Sequence, residues 1–509
     1  MTQAIYNRIG KNIIYNLLSK FFGFPLWLAL PPIILGYIGV EGYGVWVVIQ
    51  AFVNYGGILN TGVDATVKYT AEYKAKGNYS KITEIFNTFF ILNSILFFIF
   101  CIVVFVCQNW LIDVFIKTNK IPRGDISCVL ILYAVTFAIK NIYRGYSSFL
   151  TGLEKMDITN KVEMLSFVCN FISSIAFLHL RWGIKGLAIA SVLSSVITFF
   201  IYIWICAKET PYLKLNPFLF SFGVLSEAYK FISYGVIGGI AGTSMFYASK
   251  LICSRFLEIK YITYYDLGQR LVVVVFGIFG SVLTPIMPAA SSVHTNMGAE
   301  KLKEVFQTTF KHLALISIPV FLFMAVFAGW IISVWVGPEC EKAVSVLRFL
   351  SIAYLIVLLT GPGALILTGM GLIEIPFYGT ILTAAMNVIL SLVLVTRFGL
   401  NGIIISDLIS YTIGAIFGLY FLQKKLGSSI TNILRGIKFP FFASMGILII
   451  LSLISIMSFT RNSRNYYIEL PFAAILFAIS YILLVYNNPQ YARVRDFIRR
   501  PLYLFTYRD

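Results

Sequence analysis

Long apolar runs follow one another along almost the whole chain, separated by short polar or charged breaks. They lie near residues 12–37, 42–63, 85–107, 126–150, 162–180, 186–206, 231–255, 262–287, 312–334, 344–367, 375–396, 401–423, 439–459 and 469–486. A helix needs about 20 apolar residues to cross a bilayer. These runs exceed strand length and lack the alternation of a membrane barrel. The pattern predicts an all-α polytopic membrane protein of about 14 transmembrane helices. The first run is too long for the apolar core of a cleavable leader and reads as the first span.

The chain also repeats itself. Lys81-Ile82-Thr83-Glu84-Ile85-Phe86-Asn87-Thr88 returns in kind as Lys301-Leu302-Lys303-Glu304-Val305-Phe306-Gln307-Thr308, at an offset of 220. Leu150-Thr151-Gly152 recurs as Leu367-Thr368-Gly369, Asn170 as Asn387, and the turn Gly183 to Gly186 as Gly399 to Gly402, at offsets of 217 and 216. Two lobes of six helices follow. Six is even, so the lobes share one orientation, and an axis along the membrane normal relates them, with a binding site between them near the midplane. Residues 1–207 form the first lobe, 208–230 a cytoplasmic linker and 231–424 the second lobe; 425–509 add helices 13 and 14 and a basic tail.

Composition narrows the class. Of 509 residues 59% are hydrophobic and 12% charged, which leaves no room for a sizeable water-soluble domain. Lys and Arg outnumber Asp and Glu 40 to 22. With the N-terminus inside, 23 of these cations fall in inner segments and 11 in outer ones, so both termini are expected in the cytoplasm. The excess is a topology signal and does not point to nucleic acid. The tail cations Arg493, Arg495, Arg499, Arg500 and Arg508 read as a topology anchor. Seven cysteines, without a CxxC pair, indicate neither a disulfide framework nor a metal site.

Polar residues inside the spans are the candidate chemistry. Gln50, Asn54, Gly57, Thr61, Asp64 and Lys68 recur at helical spacing and share one face of a single helix. The repeat offset sets Arg270, Val274, Gly277, Ser281 and Thr284 opposite, so helices 2 and 8 are expected to face each other across a cleft. Six cations fall within spans: Lys20, Lys140, Arg144, Lys250, Arg270 and Arg348. Arg144 and Arg348 lie near helix ends and are expected to reach the headgroups. A cation at the bilayer centre costs about 3 kcal/mol on insertion scales, so the others call for a water-filled or anion-bearing site. Lys20, Lys140, Lys250 and Arg270 are assigned to an anion, and the polar stripe with Gln50, Asn54 and Thr61, together with Tyr247, to hydroxyl groups of the same ligand. The alternative is internal salt bridges with Asp64, Asp266 and Asp407, which can neutralise three of the six cations at most. Asp64 and Asp407 are read either as counter-ions or as a site for proton or sodium coupling; no cofactor or metal is expected.

Gly36, Gly39, Tyr43, Gly44 and Trp46, then Gly62, Tyr69 and Glu72, and later Pro285, Pro288, Ser291 and Gly298, resemble the polysaccharide-transport flippases. These belong to the multidrug/oligosaccharidyl-lipid/polysaccharide exporter superfamily. The resemblance covers nearly the whole chain. It implies two lobes working by alternating access, a bacterial inner membrane, and movement of an undecaprenyl-pyrophosphate-linked oligosaccharide (the O-antigen and lipopolysaccharide type of cargo) to the periplasmic leaflet. It also implies lumen cations, matched here by Lys20 and Arg270, and polysaccharide polymerase and assembly proteins as partners. Two other readings stand beside it. A cation-coupled multidrug exporter would line the cleft with acids, whereas the spans hold mostly cations. A polytopic glycosyltransferase or polymerase would need a larger outer loop than Gln108 to Asp125.

Overall fold

The computed structural model describes residues 2–59, 62–118, 120–213, 215–427, 430–458 and 466–488, with side chains from residue 22 onward save for short stretches that include 63–64 and 430–434. The described residues are helical almost throughout, in fourteen α-helices: α1 (Thr2–Asn54), α2 (Val63–Ala75), α3 (Tyr79–Phe115), α4 (Arg123–Gly152), α5 (Met156–His179), α6 (Gly183–Glu209), α7 (Phe222–Phe256), α8 (Ile259–Leu283), α9 (Ile286–Val326), α10 (Ala328–Val336), α11 (Ala343–Gly369), α12 (Glu374–Leu426), α13 (Ile430–Ser458) and α14 (Tyr466–Asn487). Twelve helices are long and apolar enough to cross a membrane. The protein is a multi-pass membrane protein.

Both α1 and α12 contain 53 residues, about 80 Å of helix at 1.5 Å per residue, far more than a hydrocarbon core of about 30 Å. Each breaks at one glycine with left-handed φ, Gly39 (69°) and Gly399 (57°). The expected spans 12–37 and 42–63 lie in or beside the two arms of α1, and 375–396 and 401–423 lie in the two arms of α12. The run expected at 312–334 is divided at Phe327, where α9 ends and α10 begins. Between α6 and α7 only residues 210–221 are left outside the two long helices, a shorter link than 208–230, because α7 begins at Phe222.

The repeat is visible in the backbone. Left-handed φ occurs at Gly77 (69°) and Gly298 (79°), at Glu154 (65°) and Gly371 (82°), and at Gly183 (55°) and Gly399 (57°), at offsets of 221, 217 and 216. All six bends precede, begin or interrupt helices at matched places in the two halves. Glu154 occupies a conformation that a side chain disfavours, where the second half has glycine.

Packing follows the repeat. The first arm of α1 lies on α5, while α3, α4 and α6 pack in series; α11 lies between α8, α9 and α12, and α12 rests on α7. The two halves meet where α8 runs along α1 and where α7 crosses residues 55–59 and α3. Helices α13 and α14 pack on each other, α13 also lies on α9, and the Tyr481 hydroxyl donates to the Leu315 carbonyl (2.8 Å). They are appended to the second half.

The polar stripe does not run along one helix. α1 ends at Asn54, a 3₁₀ turn covers Tyr55–Leu59, and α2 starts at Val63. The cause is close packing: a Cβ on Gly56 would lie 2.8 Å from the Phe100 ring and 2.9 Å from the Phe137 ring, and one on Gly62 would lie 2.6 Å from the Phe89 ring. The chain tightens to pass these rings, so Lys68 lies on a separate helix and is exposed.

Candidate functional site

A cavity of about 610 Å³ opens between the two halves and reaches into the first. Both arms of α1 line it, with α4, α5 and α6 on one side and α7 and α8 on the other. It brings together Gln50, Asn54, Lys140, Tyr247, Lys250 and Arg270 of the expected site. Thr61, the side chains of Lys20 and Asp64, and the tail arginines lie outside the described residues.

The charges form two groups. On α8, Asp266 and Arg270 are one helical turn apart, and Arg270 places Nη2 3.2 Å and Nε 3.3 Å from Asp266 Oδ2. Lys250 of α7 donates from Nζ to Asp266 Oδ1 at 2.7 Å. Tyr43, on the second arm of α1, donates its hydroxyl to Oδ2 at 2.7 Å. One carboxylate thus ties two cations of the second half to a hydroxyl of the first. Arg270 also reaches the first arm of α1, with Nη1 3.4 Å from the Trp27 carbonyl and the guanidinium 4.2 Å above the Trp27 ring. Asp266 is 4% and Arg270 8% exposed.

The second group lies on α4. Lys140, Arg144 and Ser147 recur at one helical face and all line the cavity. Among the described residues no carboxylate lies within ion-pair distance of Lys140 or Arg144. Arg144, expected to reach the headgroups, is exposed and lines the cavity. Arg348 bonds the Ala325 carbonyl from Nε (3.2 Å). Glu163 of α5 is the second carboxylate of the wall. Four cations and two carboxylates therefore line the described cavity.

Helices 2 and 8 do not face each other across an open cleft along their length. Thr263 donates to the Val40 carbonyl (2.7 Å), and a Cβ on Gly44 would lie 2.5 Å from the Ile259 carbonyl, so the second arm of α1 and the start of α8 touch backbone to backbone. Farther along α8, Gly277 receives the Phe24 ring of the first arm. The cavity is the space left beside this seam.

Asp407 lies elsewhere. It is fully buried inside the second half, where Ser249 donates to Oδ1 at 2.7 Å, Asn387 to Oδ1 at 2.6 Å and Tyr265 to Oδ2 at 2.8 Å. Among the described residues no cation pairs with it, so it is not a counter-ion for Lys250 or Arg270. Asp266, one of the acids expected as an internal salt-bridge partner, does pair with Lys250 and Arg270. Tyr43 carries no sequence signal for its role here, because its partner is 223 residues away.

A sequence model of the family described as "Polysaccharide biosynthesis protein" matches residues 38–345, more than half of the chain. The putative O-antigen transporter of Shigella flexneri is 21% identical over 357 residues, 68% of this chain and 81% of that one. Among solved structures, the lipid II flippase MurJ in an inward closed conformation superposes with a TM-score of 0.72 at 16% identity, covering 96% of this chain and 99% of its own. An inward-facing multidrug resistance MATE transporter of the MOP superfamily superposes with a TM-score of 0.63 at 17% identity, covering 82% and 94%. The fold is that of this superfamily.

Removing one partner from a buried ion pair strands the other, at a cost on the order of 3–5 kcal/mol. Asp266→Ala should therefore destabilise the purified protein, and adding Lys250→Met should recover part of that loss. Unfolding in detergent, followed by intrinsic fluorescence, measures both. Losses that simply add would show that Asp266 and Lys250 do not interact.

Proposed function

The chain belongs to the polysaccharide biosynthesis protein family, and from that premise we propose that it is a flippase. In this reading it carries an undecaprenyl-pyrophosphate-linked oligosaccharide from the cytoplasmic to the periplasmic leaflet by alternating access. The observation that carries the reading is the charge of the seam cavity: Lys140, Arg144, Lys250 and Arg270 against Asp266 and Glu163. A diphosphate is a compact multivalent anion that loses its hydration on leaving the aqueous phase. Forked guanidinium and flexible ammonium groups replace that hydration with charge-assisted hydrogen bonds. Lys20 and Thr61 are proposed to join Gln50, Asn54 and Tyr247 around the head group, while the polyprenyl tail stays in lipid. The similarity to a putative O-antigen transporter and to a lipid II flippase supports a lipid-linked cargo and no enzymatic step.

The excess of cations in inner segments supports both termini in the cytoplasm, and a bacterial inner membrane is part of the same proposal. A polysaccharide polymerase and assembly proteins are the partners this role would require on the far side. A cationic drug fits less well, since its charge would meet four like charges against two carboxylates. Asp407 suits ion coupling better than neutralisation, because Ser249, Asn387 and Tyr265 are uncharged donors. A proton or sodium ion bound there would change the charge of the second half as the cycle proceeds. Asp64 stays in this proposal as the other candidate for ion coupling.

Among the described residues Lys140→Ala and Arg144→Ala break no carboxylate pair, so they test the anion reading. Each should lower flipping of lipid-linked oligosaccharide at least about tenfold, the equivalent of one lost charge-assisted contact of about 1.4 kcal/mol or more. Surface glycan display at unchanged protein level is the measurement, and undiminished display would reject the assignment. In proteoliposomes, Asp407→Asn should flatten the dependence of transport on pH or sodium; an unaltered rate and profile would remove Asp407 from coupling.

A further inference from the structure

The two halves build the same polar pair and then use it differently. In the first half Asn170 Nδ2 donates to Ser194 Oγ at 3.1 Å; at the matched positions, offset by 217 and 216, Asn387 Nδ2 approaches Ser410 Oγ at 3.5 Å. In the second half this place is plugged. Asn387, Ser410 and Asp407 are each 0% exposed, and Tyr265, Tyr354 and Tyr411 fill the space around them at 0%, 3% and 2% exposure. In the first half the matched place is hollow: Asn170 and Ser194 line the cavity, and Ser191 stands where the second half has Asp407.

The hollow limb has its own chemistry. Small hydroxyl and amide groups from α4, α5 and α6, among them Asn141, Ser147, Ser166 and Thr198, make up much of its wall, interleaved with Lys140, Arg144 and Glu163 and with the rings of Phe167 and Phe171. Asn141 is 2% exposed; its Nδ2 donates to the Phe137 carbonyl (2.8 Å), and its Oδ1 has no partner. A buried amide oxygen left without a donor costs free energy unless a ligand or water supplies one. Beside these groups Tyr143 and Tyr202 stack at 5.4 Å between centroids and 21° between planes, and both line the cavity.

Neutral groups that both donate and accept match hydroxyl-bearing ligands. A lipid tail would require an apolar wall and an isolated anion a charged one. We infer that the first-half limb of the cavity is the sugar-binding site, with Asn170, Ser194 and Asn141 as specificity-determining residues. The cations of the seam hold the diphosphate, so the substrate lies across the cavity with its glycan in the first half only. A site built to hydrogen-bond a hydroxyl discriminates strongly against a ligand that lacks it, because its own polar groups are then stranded. The inference rests on the flippase reading above and adds the orientation of the cargo to it.

The test is binding to the full-length protein in detergent, with undecaprenyl diphosphate as one probe and a panel of undecaprenyl diphosphates carrying glucose, galactose or N-acetylglucosamine as the other. At least one sugar-bearing probe should bind about tenfold or more tighter than the bare lipid. Asn170→Ala and Ser194→Ala should each erase that preference while affinity for the bare lipid is retained, which also reports that the variants are folded. Equal affinity for all probes, or a preference that survives both substitutions, would overturn this inference and leave the flippase reading in place. Binding of neither class of probe would overturn both.

Discussion

Charge inside a bilayer has to be met by opposite charge, by water or by both, and here that requirement converges on Asp266. Its two oxygens receive Lys250, Arg270 and Tyr43, and these come from α7, α8 and the second arm of α1. The contact therefore does two things at once. It makes two cations tolerable at the seam, and it fastens the first half of the molecule to the second. Arg270 extends the fastening through Trp27 to the other arm of α1. Any movement that separates α8 from α1 has to give up these bonds, and an anion that offers more oxygens than one carboxylate is the natural exchange for them.

On α4 the situation is reversed. Lys140 and Arg144 line the same cavity, and among the described residues no carboxylate is within ion-pair reach of them. The cations paired with Asp266 hold the halves together. Asp407 completes the contrast. It is saturated by neutral donors and enclosed by tyrosines, and it contributes nothing to the potential at the seam through direct pairing. The two halves thus share a backbone plan, seen in their matched left-handed bends, while their interiors have diverged into one hollow and one filled.

Much of this is legible in the sequence. Run length identified the helices, and the recurrence of Lys81 to Thr88 and of Gly183 to Gly186 identified the repeat, because both depend on local spacing. The cavity placement of Lys140, Lys250 and Arg270 could be anticipated because a cation in an apolar run has few tolerable environments. The errors arose where packing between distant segments decides. Phe89, Phe100 and Phe137 crowd Gly56 and Gly62 and break the helix that periodicity had drawn through Lys68. Arg144 sits near a helix end, where snorkelling is the ordinary outcome, yet it lines the cavity. The bond from Tyr43 to Asp266 joins residues 223 apart; no local pattern encodes it.

The central claim is that the seam is wet and electropositive. A cysteine at Gln50, in a chain whose seven native cysteines are replaced by serine or alanine, would report both properties through its reaction with small thiosulfonate reagents of opposite charge. The account predicts that the anionic reagent modifies this cysteine several-fold faster than the cationic one, relative to the same pair acting on a free thiol. No modification by either reagent, or faster modification by the cationic one, would contradict it.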